Sequence, residues 1–238
     1  MKEALYRHDF SLTAGECDAT GHMPATLLTA RIIETATEHA NALGIGYAQL
    51  IKKNIGWVLS RLSFEMSRWP GINENYTLLT WIETYNRRFS ERNFAVLDGE
   101  GNEIGLARTV WSAIDFAKRT GADLSEFERD SFPVYDRPCP MDKCPRIMPL
   151  GDDATVEEYT VRYCDLDFNR HFNTVRYVEL LLNHWPLEHY DAHTLRRLDI
   201  LFNRECHYGE QLTLRSQGDD IELKRRGERI LASRLLWQ

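Results

Sequence analysis

The stretch Asp165-Leu166-Asp167-Phe168-Asn169-Arg170-His171-Phe172-Asn173 gathers carboxylates, carboxamides and an imidazole between two apolar segments. Asp167, Asn169 and His171 stand at alternate positions, and an extended backbone would direct all three side chains to one face. Together they offer an acid or base, an amide donor and a ring that titrates near neutrality. The plainer alternative is a loop whose Asp and Asn hold turns and whose Asn173 caps the next helix. A second polar cluster, Asn203-Arg204-Glu205-Cys206, adds a carboxylate and a thiol.

The first stretch, followed by Tyr177, together with the Asn-Arg-Glu-Cys quartet, resembles the paired hallmark of the fatty acyl-ACP thioesterases. The likeness runs over nearly the whole chain. It implies an α+β fold, a tandem double hotdog in which each module wraps an antiparallel sheet around a long helix. It also implies release of free fatty acid from acyl carrier protein. By this resemblance Asp167, Asn169, His171 and Glu205 map onto catalytic groups, with Cys206 beside them. Arg170 departs from the family pattern, where an uncharged amide is usual. Three neighbouring classes stay open: an acyl-CoA thioesterase, a hotdog hydratase and a non-catalytic acyl-chain binder.

Thioester hydrolysis needs an activated nucleophile, a donor for the oxyanion and a proton for the departing thiol. One route pairs Glu205 with His171 to activate water, while Asn169 polarises the carbonyl and Asp167 orients His171. The rival makes Cys206 the nucleophile and His171 its base. Adjacent residues of a regular strand face opposite ways, so Glu205 and Cys206 both reach the site only across a bend or bulge. The water route is therefore preferred, with Cys206 as a small core residue.

Elements to hold these residues can be read on either side. In the first half, Leu5–Ala14 alternates as a strand, and Ala25–Leu43 carries an apolar stripe at Leu28, Ile32, Ala36 and Leu43 before Gly44. Strands follow at Trp57–Ser67, Tyr76–Tyr85, Arg88–Leu97 and Glu103–Phe116, the last two joined by Asp98-Gly99-Glu100-Gly101. The second half repeats the order. A strand at Val156–Cys164 precedes a helix from Asn173 to Trp185, and strands follow at Leu195–Phe202, Gln211–Ser216, Asp219–Arg225 and Arg229–Trp237. Three segments result: an N-terminal module at 1–118, a proline-rich connector at 119–155 and a C-terminal module at 156–238 bearing the site.

The repetition reaches individual residues. Moving from Asp18 to Asp167, a shift of 149 positions, also places Asn169 on Thr20, His171 on His22 and Phe172 on Met23. On that shift Glu205 falls on Gly56. The first copy thus keeps a carboxylate and an imidazole but loses the other two polar groups, which points to one working site per chain.

Charge and composition close off other classes. A formal charge of -7 supplies no domain-wide positive field for a nucleic-acid backbone. No apolar run approaches the roughly 20 residues of a membrane span. The charged start lacks a secretory or transit signal, so a cytoplasmic location is expected. The five cysteines are expected to stay reduced. No glycine-rich phosphate loop, dinucleotide fingerprint or metal-ligand cluster appears, so neither cofactor nor metal is expected. The implied partner is an acidic acyl carrier protein, docked through Arg87, Arg88 and Arg92 or through Lys224, Arg225 and Arg226. Monomer and homodimer both fit a chain that already contains its own module pair.

Overall fold

Apolar residues at four-residue spacing decide where each helix meets its sheet. In the computed structural model, which describes residues 3–123, 125 and 132–238, α1 (Ala25–Ala42) buries Leu28, Ile32 and Ala36 on one face. Gly44, at a φ of 76°, takes the left-handed turn that ends the run. Around α1 lie β1 (Leu5–Ser11), β2 (Ile55–Met66), β3 (Asn75–Tyr85), β4 (Phe89–Asp98) and β5 (Glu103–Asp115). A short α2 (Tyr47–Leu50) precedes β2, and a two-residue β6 (Thr120–Gly121) pairs with β5.

The second half contains β7 (Thr155–Thr160), α3 (Thr174–Leu182), α4 (Leu187–Ala192), β8 (Leu195–Phe202), β9 (Gln211–Gln217), β10 (Asp220–Arg225) and β11 (Glu228–Trp237). Strand order is β1-β3-β4-β5-β2 in one half and β8-β11-β10-β9-β7 in the other, the same path read backwards. The halves join because β2 pairs antiparallel with β8, from Arg61 opposite Leu201 to Glu65 opposite Arg197. Ser63 and Asp199 are partners at the middle of that seam, and the Ser63 hydroxyl donates to the Asp199 carboxylate at 2.6 Å. One apolar core runs through both halves, from Leu28 and Ile32 to Val178, Leu181 and Leu198.

The connector behaves as a strap. Cys139 and Met141 bury against Trp81 and Ala95. Arg108 donates to both of their carbonyl groups at 2.8 Å, which satisfies strap backbone that no strand pairs. Positions 124 and 126–131 of the expected connector lie outside the described residues.

Two expected elements are shorter than read. The strand foreseen at Val156–Cys164 ends at Thr160. There the Asp165 carboxylate collects the Arg162 N–H at 2.6 Å and the Tyr159 hydroxyl at 2.8 Å, pulling the chain into a 3-10 turn. Tyr163, inside the foreseen strand, is 82% exposed as a result. The helix foreseen to Trp185 stops at Leu182, after which the N–H groups of His184 and Trp185 reach carbonyls only three residues back, ahead of Pro186. The chain restarts as α4 directly after that proline.

Candidate active site

Asp167 builds the site loop through backbone. Its Oδ1 accepts the N–H groups of Asn169 at 2.8 Å and His171 at 3.0 Å. Its own N–H reaches the His171 carbonyl at 2.8 Å. The segment is therefore a tight turn rather than the extended run that alternation suggested. Arg170 takes a left-handed φ of 64°, as Gly21 does at 79° in the first copy. Asn173 caps α3, its side chain accepting from Val175 N–H at 2.8 Å. Asp167 thus fixes where His171 sits by its backbone. Asn169 lies exposed at the turn.

The second polar cluster comes from the turn between β8 and β9. His171 and His207 form an antiparallel bridge, and Phe172 N–H donates to the Cys206 carbonyl at 2.9 Å. This brings Glu205 Oε1 to 3.5 Å from His171 Nδ1. Their side chains are 47% and 28% exposed, so the pair sits at the surface with one side open to water. Cys206 faces the opposite way and is fully buried beside Tyr177, where burial pushes its thiol up. Arg225 secures the turn from below, donating to the Glu205 carbonyl at 3.1 Å and to Glu210 at 2.8 Å. Burial works against the Glu210 charge, yet the Arg225 hydrogen bonds and the His207 N–H hold its carboxyl below the usual range.

A cleft of about 60 Å³ opens between α1 and the sheet of the first half, lined by Ala36, Ala40, Ile45, Trp57, Arg92 and Trp111 among others. One contact relates it to the site loop. Ile45 lies two residues before Tyr47, and Tyr47 meets Phe168 edge-on at 5.5 Å. In the second half Trp237 packs on Trp185 at 5.0 Å and on His189 at 4.5 Å. Counted from His171 and His22, Trp185 and His189 stand at the offsets of Ala36 and Ala40.

Comparison with known proteins settles the lineage. The acyl-ACP thioesterase N-terminal domain model matches residues 3–127, and the C-terminal domain model matches residues 150–234. The chain belongs to the acyl-ACP thioesterase family. A crystal structure of an acyl-ACP thioesterase from Bacteroides thetaiotaomicron superposes with a TM-score of 0.91 at 31% identity, covering 99% of this chain and 98% of that one. The 12:0-ACP thioesterase of Umbellularia californica shares the fold, with a TM-score of 0.85 at 20% identity and coverage of 100% and 98%. A chloroplastic palmitoyl-acyl carrier protein thioesterase of Gossypium hirsutum is 27% identical over 216 residues, 85% of this chain and 52% of the relative. The chain spans about half the length of the curated relatives it matches. The fold is the tandem double hotdog of that family.

Within this acyl-ACP thioesterase scaffold, several readings change. The counterpart of Glu205 is Trp69 rather than Gly56. Pro70 and Cys206 present equivalent carbonyls, to Met23 N–H at 2.8 Å and Phe172 N–H at 2.9 Å, so the offset here is 136 rather than 149. The first half has lengthened between its loop and its seam strand, where α1 has 18 residues and α3 has 9. The expected docking cations are mostly engaged. Arg92 is buried, Arg87 donates to Asp123 at 3.1 Å, Lys224 meets Glu222 at 2.9 Å, and Arg225 braces the site turn. His207 escaped the sequence reading, since only strand pairing brings it to His171. No described helix is long and apolar enough to cross a membrane.

Proposed function

We propose that this chain hydrolyses fatty acyl thioesters carried on acyl carrier protein, releasing free fatty acid and the carrier's thiol. The observation that carries this reading is the approach of Glu205 to His171 at 3.5 Å on an open ledge, next to an apolar cleft. Water attacks the thioester carbonyl carbon while the Glu205–His171 pair takes its proton. The carbon–sulfur bond then breaks, and the same pair returns the proton to the departing thiolate. The amide of Asn169 donates to the carbonyl oxygen as negative charge builds there. Asp167 holds the turn that presents both groups. Cys206 supports the turn from the core, because a thiol raised by burial is a poor source of thiolate.

The test is turnover on matched acyl-ACP and acyl-CoA substrates, with free acid and free thiol quantified by mass spectrometry. Glu205→Gln is expected to lose about 100-fold or more in kcat, while Cys206→Ala stays within the parent's order of magnitude. An acyl group trapped on Cys206, with a folded but inactive Cys206→Ala, would replace water by the thiolate. Equal kcat/KM for the two carriers would remove acyl carrier protein as the specific substrate.

A further inference from the structure

The proposed hydrolysis draws on one of two neighbouring imidazoles, His171, and assigns none of its steps to His207. His171 and His207 are directly opposed in an antiparallel bridge, and opposed residues project to the same side of their two strands. Glu205 stands two positions before His207, so extended backbone returns it to that side. Cys206, between them, turns into the core. Two imidazoles and a carboxylate therefore gather on one face, with a ligand atom of each within 4.8 Å of the others. The two rings lie 5.0 Å apart at 75° to one another.

This donor set suits a particular ion. Zinc binds imidazole nitrogen and carboxylate oxygen at about 2.0–2.2 Å, and three protein ligands leave its fourth tetrahedral position for water. Closing the cluster takes side-chain rotations, and Glu205 and His207 are exposed enough to make them. The backbone beneath is held, by His207 N–H to Glu210 at 3.0 Å and by Arg225 to the Glu205 carbonyl at 3.1 Å. The donor types and their number match what such an ion takes, and the exposure of Glu205 and His207 leaves it a path of entry.

Two other places serve as internal controls. In the first half Gly71 stands opposite His22 and Trp69 replaces Glu205, so no comparable set forms. His8, Glu34 and Glu38 also have ligand atoms within 4.8 Å. Their carboxylates are already engaged from outside the trio, Glu38 by the Tyr6 hydroxyl at 3.1 Å and Glu34 by Arg31 at 2.8 Å.

We propose that His171, Glu205 and His207 form a binding site for a divalent transition-metal ion of the zinc class. Occupation arrests hydrolysis by withdrawing His171 and Glu205 from proton transfer. The arrest rests on the hydrolytic reading above, whereas the binding does not.

Both parts are tested on the full chain without an affinity tag, stripped by chelator and carrying Cys164→Ser to remove the exposed thiol. Calorimetric titration with zinc chloride is expected to give one ion per chain. Affinity should fall about tenfold or more in His207→Ala and in the similarly sized His207→Gln, and stay unchanged in Glu38→Gln. In turnover assays zinc is expected to stop the parent and Glu38→Gln. His207→Ala should run at the parental rate without metal and need at least about tenfold more zinc for the same inhibition. Absence of stoichiometric binding, or equal zinc affinity in the parent and both His207 variants, overturns the site. One bound ion with full turnover overturns the arrest. A chain that cleaves no acyl thioester overturns the hydrolytic reading, and the calorimetry still decides the metal site.

Discussion

In each half an aspartate folds the chain back onto a histidine by the same hydrogen bonds. Asp18 accepts from the N–H groups of Thr20 at 2.9 Å and His22 at 3.2 Å, as Asp167 does from Asn169 and His171. What faces the two imidazoles differs. His22 meets the Thr20 hydroxyl at 3.1 Å, with Gly71 across the bridge. At the place of Glu205, Trp69 is buried and its indole N–H donates to the Leu195 carbonyl at 2.8 Å. The helices reverse this bias. Alanines on α1 leave a cleft, while Trp185, His189 and Trp237 fill the second half. A duplicated scaffold thus separates two demands that one small core meets poorly. On the proposed reading, one copy keeps space and the other keeps the groups that move protons.

The sharpest way to break this contrast is to compare the histidines. His171→Ala is expected to lower kcat on acyl-ACP by about 1,000-fold, with His22→Ala costing no more than about threefold. Far-ultraviolet spectra and melting curves check that both fold, and equal losses would show that the halves share the chemistry. Next in size is filling the open side. Ala36→Trp copies Trp185 of the second half and is expected to cut kcat/KM for a long-chain thioester about tenfold, with overpacking costing about 1–3 kcal/mol in stability. A short-chain thioester should be spared, and equal loss on both would detach the cleft from acyl binding.

A smaller effect separates the halves by pH. Burial, then the Arg92 cation, pushes His39 beneath the cleft down to about 4 from 6.5. The folded ring stays neutral where the unfolded one charges, so the unfolded chain binds more protons between those values. Stability tied to His39 is therefore whole above pH 6.5 and falls as pH drops towards about 4. His39→Gln should flatten that part of the Tm-against-pH curve, and an unchanged slope would assign it elsewhere. Smallest is the strain at Arg170. Arg170→Gly copies Gly21 and should relieve about 1 kcal/mol of left-handed strain, partly offset by glycine's larger unfolded-state entropy. A net loss in chemical denaturation beyond about 1 kcal/mol would show that the Arg170 side chain stabilises the loop.

Strands and both helix starts were legible because each rests on local alternation or on a cap such as Asn173. The candidate groups were legible as residue types, and their arrangement was less so. Asp167 acts through two backbone N–H groups, which alternation cannot reveal, and Arg170 takes a conformation more usual for glycine. His207 joins His171 only through pairing of distant segments. The partners of the expected docking cations were hidden for the same reason, since Asp123 and Glu210 lie elsewhere in the chain from Arg87 and Arg225. The offset of 149 held through the loop and shifted where the first copy gained helix.

The seam at Ser63 and Asp199 also governs what either half would do alone. Cut within the connector, the first half would expose β2 as a bare edge carrying Leu62 and Phe64, with no proline along its 12 residues. Unpaired edges of that kind recruit other strands. Since Ser63 is the counterpart of Asp199, a second copy of the same half could dock there about a true twofold, Ser63 against Ser63. The tandem chain forestalls this by tethering the proper neighbour, which keeps its effective concentration far above that of any stray edge. Covalent linkage here acts as protection against aggregation, applied at the strand where each module is most exposed to it.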